Sequence, residues 1–240
     1  LPILCRAAMS DMVVPYGSAD PMHSWKAVHD GTEYGFGRLS NSLTLGCDCL
    51  GEIHYFNSSG ISFDGSVEVI ENAICLHEED YGIQWKHNDG MGAPNEVRRS
   101  RRLVISSIST IGNYDYGLFW YLYLDGTIEA EVKLTGIVGI SAYNEDKHNP
   151  NQDLRISKEL VSPVHQHLFC MRLDWNLDGG NNQLFESEIE LMPDDDNNPY
   201  GMQFQSVSTH LKTEHEAKRD ISPATSRVWK VVNPKKKNGM

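Results

Sequence analysis

The sequence predicts an all-β fold, most simply a large antiparallel β-sandwich, and three observations carry that expectation. Apolar residues recur with period two, clusters of Gly, Asn and Asp interrupt them at short intervals, and neither an internal repeat nor a βαβ alternation is present. The clearest element is the segment 116–138. There Leu118, Trp120, Leu122 and Leu124 alternate with Phe119, Tyr121 and Tyr123, and after Asp125-Gly126 the residues Ile128, Ala130, Val132 and Leu134 alternate with Glu129, Glu131 and Lys133. This reads as a hairpin with one face buried. Further strands are expected at Arg102 to Thr110, Gly51 to Phe56, His165 to Leu173 and Phe185 to Leu191, and a surface loop at Pro193 to Pro199. His210 to Arg219 is ambiguous, because Glu214 and Lys218 suit an i, i+4 helical pair while the flanking Thr and Val favour a strand, the reading preferred here.

Composition narrows the function. The 240 residues carry 21 Lys plus Arg against 33 Asp plus Glu, a formal net charge of −12. No basic surplus exists to neutralise phosphates, which argues against a general nucleic-acid binder. Hydrophobic residues make up 40% of the chain, enough for one sizeable core, and no apolar run approaches the roughly 20 residues of a membrane-spanning helix, so no membrane span is expected. The opening at Leu1 shows no secretory signal and reads as a cut end, and the lysine run near Met240 as a solvated turn, so residues are expected to be missing at both ends. The five cysteines, Cys5, Cys47, Cys49, Cys75 and Cys170, are too few and scattered for a disulfide scaffold.

Few places carry chemistry. In Val164-His165-Gln166-His167-Leu168-Phe169, read as strand, residues i and i+2 share a face, so two imidazoles lie about 6 to 7 Å apart along the backbone and point the same way. That spacing suits one metal ion with a third ligand from elsewhere, and equally two partly exposed histidines. Thr110-Ile111-Gly112-Asn113-Tyr114-Asp115-Tyr116 reads by composition as a turn with structural tyrosines. In His77-Glu78-Glu79-Asp80 successive strand residues alternate faces, so the four side chains cannot converge on one ion. An unaided reading of Cys47-Asp48-Cys49 with Cys75 suggests a metal site.

The string from Thr110 to Tyr116 resembles the Thr-x-x-Asn-Tyr-Asp/Glu-Tyr signature of the copper amine oxidases. The likeness extends through MVVPYG, EYGFGRLSNSLTLGCDCLGEIHYF, NAICLHEEDYGIQWKH, RRSRRLVISSISTIGNYDYG, FWYLYLDGTIEAEVKLTGIV and PVHQHLFCMRLD, covering most of Met12 to Asp174. Beyond it, NNPYGMQF and LKTEHEAKRDISPATSRVWKVVNPKKKN read like the family's continuation. The resemblance implies that residues 1–240 are one partial catalytic domain, without the family's small N-terminal domains and the C-terminal part of the catalytic domain.

Tyr114 takes the place of the tyrosine that becomes topaquinone, and His165 and His167 the places of two of three copper ligands. The third lies in a context that no remaining histidine shares. Asp30 takes the place of the catalytic base, although Gly31-Thr32 stands where the family more often has Gly directly before Glu. Tyr16 matches the tyrosine that hydrogen-bonds the quinone oxygen, Asn113 the neighbour that limits cofactor swinging, and Val28 the gate of the substrate channel. Cys49 and Cys75 match a disulfide pair, and Asp174, with the Trp175 carbonyl beside it, a secondary cation site of the calcium type. The activity implied is oxidative deamination of primary amines by dioxygen, releasing aldehyde, ammonia and hydrogen peroxide, in a homodimer; family members are peroxisomal or extracellular, and the resemblance does not choose between them. The alternative is a non-enzymatic β-sandwich fragment or degenerate paralogue with an incomplete copper site.

Overall fold

The computed structural model describes residues 2–17, 27–29, 35–92 and 94–236, with backbone alone for 27–29. All of its main elements are strands: β1 (Leu4–Pro15), β2 (Ala27–His29), β3 (His54–Ile61), β4 (Val67–His87), β5 (Glu96–Ile111), β6 (Tyr114–Tyr123), β7 (Ile128–Gly136), β8 (Ser141–Ala142), β9 (Asp153–Arg155), β10 (Leu160–Pro163), β11 (Leu168–Trp175), β12 (Gln183–Leu191), β13 (Phe204–Leu211) and β14 (Val228–Val232). Single 3₁₀ turns occur at Phe36–Leu39 and Pro223–Thr225. The expected antiparallel all-β class is what forms, as a five-stranded sheet in the order β3-β4-β5-β6-β7 and three three-stranded sheets, β11-β1-β2, β8-β10-β9 and β13-β12-β14. Two compact units emerge, Leu1–Ser10 with Met171–Met240, and Asp11–Cys170.

The unit Asp11–Cys170 is built on the five-stranded sheet. Its register follows from the turns: Asp125-Gly126 reverses β6 into β7, with the Tyr123 amide bonded to the Thr127 carbonyl at 3.0 Å, and Leu122 pairs with Ile128. Gly112-Asn113 reverses β5 into β6, so that Ile111 pairs with Tyr114. The buried set includes Met12, Val14, Phe36, Leu43, Cys49, Ala73, Cys75, Val104, Tyr116 and Tyr121. The hairpin 116–138 forms as expected, but burial does not stay on one face. Tyr116 and Tyr121 have opposite parity and are both 1% exposed. Phe36, His167 and Phe169 surround the first ring. The second lies 3.7 Å under the Arg102 guanidinium, so a cation covers the face that the alternation alone leaves open.

Three acidic residues, three arginines and a histidine hold the long β4–β5 pair together. Glu79, on the same face as His77, accepts from Arg102 at 2.8 Å and from His77 at 3.1 Å. On the opposite face Glu78 pairs with Arg101 and Asp80 with Arg99. The division of His77-Glu78-Glu79-Asp80 between two faces is the one expected from strand alternation, and each carboxylate has an arginine as its partner.

In the unit Leu1–Ser10 with Met171–Met240, β12 is the central strand. Its Glu186, 6% exposed, lies 3.2 Å from Arg219 and 3.5 Å from Arg227, and Arg227 also donates to Glu188 at 2.9 Å. The loop 192–203 is tied by the Asn198 side chain, which donates to the carbonyls of Met192 and Pro193 and accepts from the amides of Met202 and Gln203. The strand preferred for His210 to Arg219 is corrected. Strand β13 ends at Leu211, and the Ala217 amide then bonds the Thr213 carbonyl at 3.1 Å. Thr213 and Glu216 close that single turn by capping the amides of Glu216 and Lys212.

The Asp80 carboxyl is held at about 2 by the hydrogen bonds from Arg99 and the Gly82 amide, and Arg101 lowers Glu78. A carboxylate lowered by folding stabilises the fold above its unfolded value, near 4, and loses that contribution as pH falls through its folded value. The thermal midpoint is therefore expected to drop between about pH 4 and 2, and Asp80→Asn to make the drop shallower; a melting series in that window checks both. Asn198→Ala strands four backbone groups and is expected to cost about 1 to 3 kcal/mol by urea unfolding.

Candidate functional site

The chemistry expected of Tyr114, His165 and His167 gathers within the unit Asp11–Cys170. Tyr114 is the first residue of β6, and by strand alternation Tyr116 stands beside it on the same face. The two histidines reach that face from an extended link between β10 and β11, not from within a strand as expected. The strand is broken because His165 makes one isolated bridge, to Tyr16. That bridge is framed by the Gly17 amide on the Val164 carbonyl at 2.8 Å and the Gln166 amide on the Pro15 carbonyl at 3.1 Å. The expectation that both imidazoles point the same way still holds, with ring centroids 5.0 Å apart.

Around them the rings converge. Tyr114 lies 5.7 Å from His165 and 5.5 Å from His167, centroid to centroid. Tyr16 stacks on His165 at 5.0 Å and 20°. Asn113 clamps the residue after β7 from both sides: its carbonyl accepts from the Ile137 amide at 2.7 Å, and its side-chain amide donates to the Ile137 carbonyl. A cavity of about 230 Å³ opens beside the tyrosine and is lined by Tyr114, Tyr116, Leu134, Thr135, Val138 and His167 among others.

The histidine hydrogen bonds decide which nitrogens are available. His165 Nδ1 lies 2.8 Å from the Pro163 carbonyl, which can only accept, so Nδ1 carries the proton and the Nε2 lone pair is free. His167 Nδ1 is engaged with the Tyr116 hydroxyl at 3.1 Å, a group that can donate or accept; where the hydroxyl accepts from Nδ1–H, the Nε2 lone pair is the free one. Burial, with His165 beside it, holds the His167 imidazole below its ordinary value, favouring the neutral form that binds metal. Two neighbouring imidazoles, of which His165 has its Nε2 lone pair free, fit a copper ion as two of its ligands. Among the described residues no group of three His, Cys, Asp or Glu is arranged to hold a metal, so a third ligand is not found with them.

The other expected site residues fare differently. Asp30 lies outside the described residues. Val28 pairs with Val14 in the β1–β2 ladder. Asp174 is exposed on β11 and belongs to no three-residue metal set among the described residues. Cys49 and Cys75 share one buried cluster with Leu43, but they are free thiols, not the expected disulfide. Burial and a hydrogen bond with Cys49 push the Cys75 thiol up to about 12, which keeps it protonated and unreactive. Sequence reasoning missed Tyr116 as the partner of His167. Its position two residues after Tyr114, on the same strand face, was the available signal.

Comparison with known proteins bears on this arrangement. The family model for copper amine oxidase, enzyme domain, matches residues 1–240. A histamine oxidase of Arthrobacter globiformis is 48% identical over 97% of this chain and 34% of its own. A copper-containing peroxisomal diamine oxidase of Nicotiana tabacum is 41% identical over 99% of this chain and 30% of its own. A copper-containing benzylamine oxidase from Hansenula polymorpha superposes with a TM-score of 0.88 at 31% identity, over 97% of this chain and 36% of that one. The chain thus spans about a third of the length of these relatives.

If the Tyr116 hydroxyl orients His167, Tyr116→Phe is expected to weaken copper binding by about 10- to 100-fold while preserving the ring packing. Competition with a chelator measures this in the full-length protein, and an unchanged affinity rejects the orienting role.

Proposed function

The chain belongs to the copper amine oxidase family, and from that membership we propose that it serves the oxidative deamination of primary amines, converting amine, dioxygen and water to aldehyde, ammonia and hydrogen peroxide. One observation supports this reading above the others: the Tyr114 ring stands within 5.7 Å, centroid to centroid, of two imidazoles, and His165 keeps its Nε2 lone pair free. A phenol beside a redox metal site is the arrangement that self-processing to a quinone requires. When bound, copper would supply the redox partner for oxidation of the Tyr114 ring by dioxygen, and the resulting topaquinone an electrophilic carbonyl for the amine.

In this reading His165 and His167 hold the ion with a third donor, and the Pro163 carbonyl and Tyr116 hydroxyl fix their orientation. Asp30 is the base that takes the proton from the carbon next to the amine nitrogen. Tyr16, which stacks on His165, is the proposed hydrogen-bond partner of the quinone oxygen, and Asn113 the proposed limit on ring movement. The net charge of −12 suits a cationic amine, whose local concentration a negative field raises. The relatives named for histamine, diamines and benzylamine support amines as the substrate class. A homodimer is the proposed assembly.

The reading is tested by supplying the full-length protein with copper and air, staining for quinone redox cycling and mapping the stained peptide. Oxygen gained at Tyr114 is expected, and Tyr114→Phe should abolish the stain while costing the fold only about 1 kcal/mol. An unmodified tyrosine in protein with copper bound rejects the proposal in favour of a non-enzymatic relative.

A further inference from the structure

The segment that follows β7 is held against Tyr114 almost wholly by backbone. Gly136, the last residue of β7, pairs with Tyr114 and has φ +100°; a Cβ there would meet the Asn113 carbonyl at 2.5 Å and the Tyr114 Cα at 2.9 Å. Only glycine lets the chain turn so close to the start of β6. Asn113 then binds both the amide and the carbonyl of Ile137. Two residues on, the Gly139 amide donates to the Tyr114 hydroxyl at 2.9 Å. The side chains of Ile137, Val138 and Ile140 are 74%, 48% and 56% exposed, so little apolar burial fixes this segment. What fixes it are the bonds to Asn113 and Tyr114.

Gly139 itself is fitted to the phenol. A Cβ at that position would stand 3.0 Å from the Tyr114 hydroxyl oxygen and 3.9 Å from Cζ, closer than an oxygen and a methyl group sit without one of them giving way. Any other side chain would therefore push on the atom that the amide holds. The same ring lies 5.7 and 5.5 Å, centroid to centroid, from the two imidazoles.

We propose that Gly139 is a positioning residue for Tyr114: its amide grips the phenol oxygen, and its missing side chain leaves the room the oxygen occupies. The segment 136–139 is thus a latch that keeps the ring at His165 and His167 until the ring is oxidised. The inference rests on the reading of Tyr114 as the residue converted to the quinone, and it adds which backbone group selects the ring position.

Two measurements on the full-length protein test it. In copper-free protein, residue-resolved hydrogen exchange is compared between the parent and Tyr114→Phe. Loss of the acceptor is expected to speed exchange of the Gly139 amide about tenfold, the effect of one net hydrogen bond, with the Ile137 amide unchanged. Equal exchange at Gly139 overturns the latch. In the second measurement Gly139→Ala, which keeps the amide but crowds the oxygen, is loaded with copper in air. Slower quinone formation by about tenfold is expected, at parental copper content and with a melting temperature within a few degrees of the parent. Quinone formed at the parental rate overturns the positioning role, and a variant too unstable to load leaves the exchange comparison to decide. Absence of quinone from the parent itself refutes the oxidase reading instead, and the exchange result still decides whether the latch exists.

Discussion

The candidate site depends on one pairing, Tyr16 with His165. Its two flanking backbone bonds, from Gly17 to Val164 and from Gln166 to Pro15, hold the link between β10 and β11 extended, together with the Val164 amide on the Gln152 carbonyl at 2.7 Å. Extended backbone places residues two apart on the same side, so this short ladder is what aims both imidazoles at the tyrosines. Without it the link would have the freedom of a loop, and two histidines on a loop do not keep a 5.0 Å ring separation. Tyr16 contributes twice, as backbone partner and as a ring stacked on the imidazole it pairs with. The conformational cost of ordering the link is thus met within the same few residues that carry the chemistry.

The second contribution comes from the tight reversal at Gly112-Asn113. By starting β6 at Tyr114 it puts Tyr114 and Tyr116 on the face that His167 meets, at 5.5 and 5.6 Å. The two tyrosines then do different things with that proximity. Tyr116, almost wholly buried, bonds the imidazole through its hydroxyl, whereas the Tyr114 hydroxyl accepts from the Gly139 backbone amide. Farther along β6 the opposite face is covered by Arg102, which lies over Tyr121, bonds Glu79 and receives support from the Tyr123 hydroxyl. The sheet that carries the site is therefore braced by a desolvated cation as well as by apolar packing.

Much of this was legible beforehand, for identifiable reasons. The hairpin around Asp125-Gly126 combines strict alternation with a strong turn pair, and both signals are local. The split of His77-Glu78-Glu79-Asp80 between faces follows from strand period alone. The common direction of His165 and His167 was read correctly from the wrong element, since an isolated bridge and a strand share the same extended geometry. Thr213 to Ala217 went the other way: side-chain caps on Glu216 and Lys212 outweighed the β propensity of the flanking residues. The disulfide suggested by resemblance gave way to two thiols, one of which burial keeps protonated.

By itself the sequence determined the fold class, the strand faces and the inventory of reactive groups, because period, turn chemistry and residue type are properties of short stretches of chain. Only the tertiary structure decided which of those groups meet. Residues 16, 114, 139 and 165 are far apart along the chain, and the bridge from Tyr16 to His165 and the hydrogen bond that fixes the phenol oxygen at Gly139 exist only once β1, β6, β7 and the link after β10 have come together. Such contacts depend on distances of a few tenths of an ångström between distant segments, a precision that no local pattern encodes.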